Sequence, residues 1–172
     1  MLRPAFMVAL FALAACSPTF NWRDVRAESV PLKALLPCKP DKLARTVPMA
    51  GRLVELKGLG CEAGGATFAV LAGDIVDPLR GGEVLAQWRV ATLANLRSAT
   101  GSTQERPFLP AGAMALAQSL RMHAAGQRAD GSKVDSQAAY FARGSHVVQA
   151  VVYADKLPAE AAETFFASLG FE

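Results

Sequence analysis

The side chains that most often carry out chemistry are scarce in this sequence. His123 and His146 are the only imidazoles among the 172 residues. We expect them near the ends of neighbouring strands, where a metal site would still need a carboxylate from Asp130, Asp135 or Asp155. The preferred interpretation is that both histidines lie at solvent-exposed edges. The sequence therefore predicts no metal centre and no cofactor.

Acidic pairs give no stronger signal for catalysis. Asp74 and Asp77 have the spacing of an acid and a base, but Asp77 precedes a proline and is better explained as a helix cap. Glu160 and Glu163 fall in the first two turns of a predicted helix, where they favour its dipole. The HExxH, GxSxG and P-loop patterns are absent. The glycine-rich residues 58–65 lead into a strand, so we interpret them as a tight hairpin. Because none of these patterns gives a reactive group of side chains, we predict that the protein is not an enzyme.

The first sixteen residues have the pattern of an export signal. A basic start at Arg3 is followed by an uncharged apolar stretch over residues 5–12 and by Leu-Ala-Ala-Cys at 13–16. The apolar run is well short of the ~20 residues that a membrane-spanning helix needs. LAAC resembles the lipobox of bacterial lipoproteins, in which the cysteine is acylated and becomes the first residue. The resemblance implies a diacylglycerol anchor on Cys16; an ordinary secretory signal is the alternative.

The residues around Cys16 also suggest where the protein resides. Ser17, in place of an aspartate, is similar to the signal that sends Gram-negative lipoproteins to the outer membrane. We expect a lipid-anchored protein of the cell envelope, at the outer membrane and facing the periplasm. The predicted organisation is a signal peptide over 1–15, a tether over 16–30 and one domain over 31–172. Within the tether, the aromatic residues at 20 and 22 either sit at the membrane interface or pack on the domain.

The two remaining cysteines are predicted to form a disulfide. Once Cys16 carries the lipid, Cys38 and Cys61 are an even pair in an oxidising compartment. A bridge between them closes a loop of about two dozen residues, for which the chain-entropy model gives roughly 3 kcal/mol. A redox-active or nucleophilic thiol is the alternative, although no CxxC occurs.

Composition places the chain among folded proteins with a mild charge. Apolar residues make up 52% and charged residues 19%, which excludes an intrinsically disordered chain. Removing residues 1–15 takes one of 18 basic residues and leaves 17 against 15 acidic residues, a net charge of +2. This charge is too small to predict nucleic-acid binding.

Hydrophobic periodicity predicts an antiparallel sheet and two helices. Alternation over 52–57 and 66–72 indicates a hairpin, and an amphipathic helix follows, delayed by a glycine pair, with Trp88 on its buried face. After a polar connection over 101–112, three strands are predicted at 115–124, 133–142 and 146–154. The last is the most β-branched and is expected to be central. A closing helix begins after Leu157.

Several segments resemble the PsbP-like family. They are LPCKP at 36–40, the strand at 68–75 and the closing helix at 157–166. The whole chain is also similar to lipoproteins of proteobacteria. The resemblance implies an α+β fold, an α/β/α sandwich in which an early hairpin and a three-strand meander are packed by two helices. Because this fold is found in interaction proteins more than in enzymes, the resemblance also implies a protein that binds a partner.

Three functions follow from these observations. The leading hypothesis is a non-enzymatic envelope lipoprotein that binds a partner protein as an assembly or accessory factor. The alternative is a binder of a small or lipid-like molecule on the concave side of the sheet, near Phe108, Tyr140 and Tyr153. The third is a cryptic hydrolase that depends on His123 or His146.

Overall fold

The fold is a seven-stranded antiparallel sheet with a helix on each face and a small second sheet beside one helix. A computed structural model describes residues 19–99 and 102–172; the predicted signal peptide and Cys16 lie outside them. In chain order the elements are β1 (Arg23–Arg26), β2 (Leu32–Leu36), β3 (Asp41–Met49), β4 (Arg52–Ala63), β5 (Ala66–Asp74), α1 (Gly81–Asn95), β6 (Thr103–Pro107), β7 (Leu120–Gln127), β8 (Lys133–Arg143), β9 (His146–Ala154), α2 (Ala159–Ala167) and β10 (Gly170–Phe171).

The large sheet is organised around β9. Its strand order is β3-β4-β5-β9-β8-β7-β6, so β9 is the central strand, as its β-branched sequence predicts. Both β5 and β8 pair with β9 over nine residues, in antiparallel register. The small sheet has the order β1-β2-β10, which brings the last strand back beside β2. The prediction of an α+β fold with an early hairpin, a meander and two helices is confirmed at this level.

Each face of the large sheet buries its own core. Strand side chains point to alternate faces, and neighbours in β9 therefore belong to different cores. Val148, Ala150 and Val152 pack with α2 and the small sheet. Val147 and Val151 pack with α1. The layers are α1, the large sheet, and then α2 with the small sheet.

Both helices present the apolar faces that the sequence predicts. A single 3₁₀ turn over Pro78–Arg80 precedes α1, and the Asp77 carboxylate accepts the Leu79 N–H at 3.0 Å as its cap. Trp88 is buried, with its ring 6.4 Å from that of Tyr140 in an edge-to-face arrangement. In α2, Phe165 and Phe166 are fully buried. Neither helix among the described residues is long and apolar enough to span a membrane.

The predicted hairpin over 58–65 is wrong in its extent. β4 continues through these glycines to Ala63, and the turn is confined to Gly64 and Gly65, both with positive φ. Gly58 meets a different requirement, because a Cβ built there would lie 1.8 Å from the Val70 carbonyl oxygen. The glycine thus permits a close approach of β5, a role that composition alone does not distinguish from a turn.

Strand boundaries differ elsewhere in exposed segments. β6 lies inside the predicted connection over 101–112, and β7 begins at Leu120 rather than at 115. β1 lies inside the predicted tether and pairs with β2, while Phe20 and Trp22 pack against the core on the α2 side. Both β1 and β6 are mostly exposed and lack an apolar alternation, so periodicity gives no signal for them.

The predicted disulfide is confirmed. Cys38 and Cys61 are bonded, with Cα atoms 5.9 Å apart. The bridge ties the bend between β2 and β3 to the second half of β4. It therefore links the small sheet's connection to the large sheet near the β4–β5 turn.

We expect removal of this bridge to destabilise the domain through the unfolded state. The double variant Cys38→Ser/Cys61→Ser should lose about 3 kcal/mol in free energy of unfolding, since the bridge closes a loop of 23 residues. Urea unfolding of the periplasmically produced protein measures this loss. Alkylation of both thiols in unreduced parent protein, detected by intact mass, would contradict the bridge itself.

A second prediction concerns the contact between the C-terminal end of α1 and β7. The Gln127 N–H donates to the Leu96 carbonyl oxygen at 2.7 Å, and a Cβ at Gly126 would lie 2.0 Å from that oxygen. Gly126→Ala should therefore lower the free energy of unfolding by about 1–3 kcal/mol, the range for overpacking. The matched control is Gly81→Ala in α1, where the added Cβ would make ordinary contacts at 3.6 Å or more. Equal effects of the two variants in urea unfolding would contradict this account.

Candidate functional site

The three aromatic residues predicted to line one binding surface do not form one site. Phe108 packs on the α2 side, with its ring 6.1 Å from that of Phe141 and 6.2 Å from that of Phe166. Tyr140 and Tyr153 lie on the opposite face, with the α1 core. Tyr140 is fully buried and Tyr153 is half-buried. Of the three, Tyr153 lines a cavity of about 340 Å³ in the described part of the chain.

That cavity belongs to a cleft between α1 and the sheet, which we call the α1 cleft. It has two adjoining chambers of about 340 and 240 Å³ that share Arg45, Thr92 and Asn95. Pockets for small ligands usually begin at about 300 Å³. The larger, polar chamber is also lined by Thr67, Gln127, Arg128, Gln149 and Tyr153. The smaller, apolar chamber is also lined by Val47, Pro48, Met49, Trp88 and Ala91.

A buried amide lies in the wall of the polar chamber. Gln149 is 3% exposed, and its Nε2 donates to the Thr92 hydroxyl at 2.9 Å and to the Tyr140 hydroxyl at 3.1 Å. The Thr92 hydroxyl donates in turn to the Trp88 carbonyl at 3.0 Å. These bonds fix the amide between α1 and the sheet, and the amide oxygen has no hydrogen-bond donor among the described residues.

Both tyrosines beside this amide stay neutral at ordinary pH. Burial raises the pKa of Tyr140 to about 12, although hydrogen bonds from Thr92 and Gln149 oppose the shift. Burial also raises the pKa of Tyr153, and the positive charge of Arg45 partly opposes this shift. The phenols can therefore offer hydrogen bonds but no negative charge to the cleft.

A second cavity of about 320 Å³ lies on the other face of the sheet, between β6–β8 and α2. We call it the α2 groove. Its central residue is Arg121, whose side chain is 4% exposed and whose guanidinium carbon lies 3.9 Å from the centroid of the Phe166 ring. Arg121 makes two contacts with the Glu163 carboxylate, at 2.8 and 2.9 Å, and donates to the Gln137 amide oxygen. Its donors are used within the protein, which favours a structural role.

The histidines do not converge. His123 lies at the α2 groove, where its Nε2 is 2.6 Å from the Asp135 carboxylate. His146 begins β9 and pairs with Asp74 and Arg143 at the other end of the sheet. No serine, threonine or cysteine is among the described residues that line the α2 groove, so the His123–Asp135 pair has no hydroxyl or thiol there to activate. In the described part of the chain, no group of three His, Cys, Asp or Glu residues could hold a metal ion.

Three of the four carboxyls in the acidic pairs have structural partners. The Asp74 carboxylate accepts the Val76 N–H at 2.8 Å, and this bond is the main cause that lowers the pKa of Asp74. Glu163 pairs with Arg121, and that contact lowers the pKa of Glu163. Asp77 caps the 3₁₀ turn, as the sequence predicts. The lowered pKa values of Asp74 and Glu163 are the opposite of what a general acid needs.

Exposed apolar side chains gather at one end of the sheet. Leu79 is 94% exposed, Leu53 is 77% exposed and Val76 is 63% exposed. We call these three residues the apolar tip. Arg80 donates to the Ala50 carbonyl at 2.8 Å, which holds the turn after β5 against the β3–β4 hairpin.

The backbone at the apolar tip is strained. Val76 has a φ of +69°, which is an outlier for a β-branched residue. The Asp77 N–H donates to the Ile75 carbonyl at 2.8 Å, so Val76 is the centre of a three-residue γ-turn. Such conformations cost of the order of 1–3 kcal/mol and cluster at sites of function.

Sequence reasoning missed the residues that define these sites. The sequence gives no signal that Arg45 or Gln149 belongs to a site, because a lone arginine or a lone glutamine in a strand matches no motif. Arg121 likewise matches no motif, and its burial depends on α2, which covers it with Phe166. The sequence does contain a signal for the apolar tip. Leu53, Val76 and Leu79 are apolar residues that lie beside turn residues.

We expect the ion pair in the α2 groove to make stability depend on pH. The pKa of Glu163 is lowered in the fold, so its contribution is present above the ordinary carboxyl pKa and is lost as the pH falls through the folded pKa. Glu163→Gln should cost about 1 kcal/mol at pH 7, a value reduced because Glu163 is 61% exposed. The difference from the parent in urea unfolding should vanish below about pH 4. A constant difference from pH 7 to pH 3 would contradict a charge effect.

Comparison with known proteins adds no functional assignment. The chain matches no model of a protein family and shows no significant similarity to a curated protein. We therefore derive its function from its own geometry.

Proposed function

We propose that this protein is a lipid-anchored envelope lipoprotein, attached through Cys16 and facing the periplasm, that docks a partner protein through its apolar tip. It acts without catalysis, as an assembly or accessory factor on a PsbP-like sandwich. The lipobox at 13–16 supports the anchor. The observation that carries the docking function is the exposure of Leu53, Val76 and Leu79 on a strained turn.

The position of the tip argues against a membrane contact. Phe20 contacts Gly64 at the β4–β5 turn, because a Cβ on that glycine would lie 2.6 Å from the phenyl ring. The apolar tip lies at the other end of β4, a strand of 12 residues that spans roughly 40 Å. From Cys16, three residues to Thr19 can reach about 11 Å. An anchor at Cys16 therefore places the apolar tip away from the membrane and toward proteins of the periplasm.

The chemistry of the tip indicates the kind of partner. Three aliphatic side chains that stand free of the core fit an apolar recess on a second protein, where their burial favours association. Val76 keeps an exposed side chain at this turn although its backbone φ of +69° is unfavourable for a β-branched residue. We expect the recess to be on another envelope protein at the outer membrane or in the periplasm.

The test is site-specific photo-crosslinking of the full lipidated chain in cells. A photoreactive residue at Leu79 should give a discrete adduct, and the same residue at Val90, which is 62% exposed on α1, should not. Adding Val76→Gly should abolish the Leu79 adduct. It should leave the free energy of unfolding unchanged or raised, because glycine adopts a positive φ without strain.

Two outcomes would overturn the docking function. One is the same set of adducts from Leu79 and Val90, which would indicate only random collision. The other is crosslinking of Leu79 to lipid, which would place the tip at the membrane. A Val76→Gly variant that is stable and still gives the adduct would show that the Val76 side chain takes no part in docking.

A further inference from the structure

We propose that the α1 cleft binds an anionic amphiphile, a molecule with one negatively charged head and an acyl tail. The site is separate from the apolar tip and does not depend on the docking function. Its two chambers differ in chemistry in the way that such a ligand does. The larger one is lined mainly by polar side chains and the smaller one mainly by apolar side chains.

The charge of the cleft selects an anion. Arg45 and Arg128 are the charged side chains that line it, and no aspartate or glutamate does so among the described residues. Arg128 is already engaged, donating to the Asp155 carboxylate at 2.6 Å and to the Lys133 carbonyl at 2.8 Å. Arg45 makes no ion pair and no side-chain hydrogen bond within the described residues. It is the cation available to a ligand, and it stands where the two chambers meet.

Neutral groups around Arg45 complete a site for the head. Asn95 is shared by both chambers and can donate through its amide. Tyr153 stays neutral and keeps its hydroxyl proton at ordinary pH, because burial raises its pKa. Gln149 lines the polar chamber, and its amide oxygen lacks a donor among the described residues, so it can accept a hydrogen bond from a hydroxyl on the head or from water held with it. These groups bind a carboxylate or phosphate ester better than they bind a hydrocarbon.

The apolar chamber receives the tail. Val47 and Met49 from β3 face Trp88 across it, and Ala91 on α1 leaves room where a larger side chain would fill the space. Displacing poorly held water from such walls favours an acyl chain. The ligand is therefore amphiphilic, and a free inorganic anion would use only one of the two chambers.

The proposal is tested with purified mature protein and decanoate, with decanol as the uncharged probe. Decanoate should bind saturably below its micellar range and change the fluorescence of Trp88. Arg45→Gln should weaken this binding roughly tenfold or more, the loss expected for one charge-assisted hydrogen bond. Arg52→Gln is the matched control, an exposed arginine outside the cleft. Ala91→Trp should abolish decanoate binding by filling the apolar chamber.

A second arm distinguishes the source of the ligand. A lysophospholipid with an anionic head that binds more tightly than decanoate would indicate a membrane-derived ligand, and tighter decanoate binding would indicate a free acid. Either result supports the proposal that the cleft binds an anionic amphiphile, provided that Arg45→Gln weakens the binding. Equal affinity of decanoate for the parent and for Arg45→Gln would overturn the proposal, as would equal binding of decanol and decanoate to the parent. Failure here leaves the crosslinking result at Leu79 untouched, so the two functions are judged separately.

Discussion

The structure depends on one strand that is buried on both faces. β9 pairs along its whole length with β5 and β8, and its side chains alternate between the core under α1 and the core under α2. Small and β-branched residues such as Val148, Ala150 and Val152 suit this position because both layers press on the strand. The strands become more exposed with distance from β9. The apolar β5 lies next to β9, and the polar β6 lies at the edge of the sheet.

The buried glutamine of β9 shapes the α1 cleft. A glutamine at 149 cannot be buried without hydrogen bonds, since an unpaired amide loses the free energy of its hydration. Thr92 on α1 and Tyr140 on β8 supply acceptors for the two N–H groups, and so tie the helix to the sheet at this point. The amide oxygen has no donor among the described residues, and Gln149 lines the cavity. The same residue therefore positions α1 and gives the cleft its polar end.

Sequence patterns predicted the parts of the fold that are decided locally. The β-branched run of β9, the Phe165–Phe166 stripe of α2 and the pairing of Cys38 with Cys61 follow from periodicity, capping and cysteine count. The course of β4 through Gly58 could not be predicted this way, because that glycine serves contact with the Val70 carbonyl on another strand. Nor could the α1 cleft, since Arg45 and Gln149 come together only through the strand order of the sheet.

The prediction that Phe108, Tyr140 and Tyr153 line one surface was wrong because it also depended on contacts between distant parts of the chain. Tyr140 and Phe141 are adjacent in β8 and therefore face opposite cores, so the ring of Phe108, which packs on Phe141, is separated from Tyr140 by the sheet. Assigning Phe108 to a face requires knowing that the segment after β6 turns toward α2. Aromatic composition identifies candidates, but tertiary packing decides which side of the sheet each one serves.

The two ends of the large sheet differ in how firmly their residues are held. Near the β4–β5 turn, the Cys38–Cys61 bridge, the Asn21 N–H to Pro37 carbonyl bond at 2.8 Å and the strand β1 fasten the first described residues to both sheets. At the opposite end, Leu79 and Val76 stand free of the core on a turn held by short polar contacts. If the proposed anchor at Cys16 exists, a pull on it would load the hydrogen bonds of β1 and then the Cys38–Cys61 bridge, at the end of β4 opposite to the exposed side chains of Leu79 and Val76.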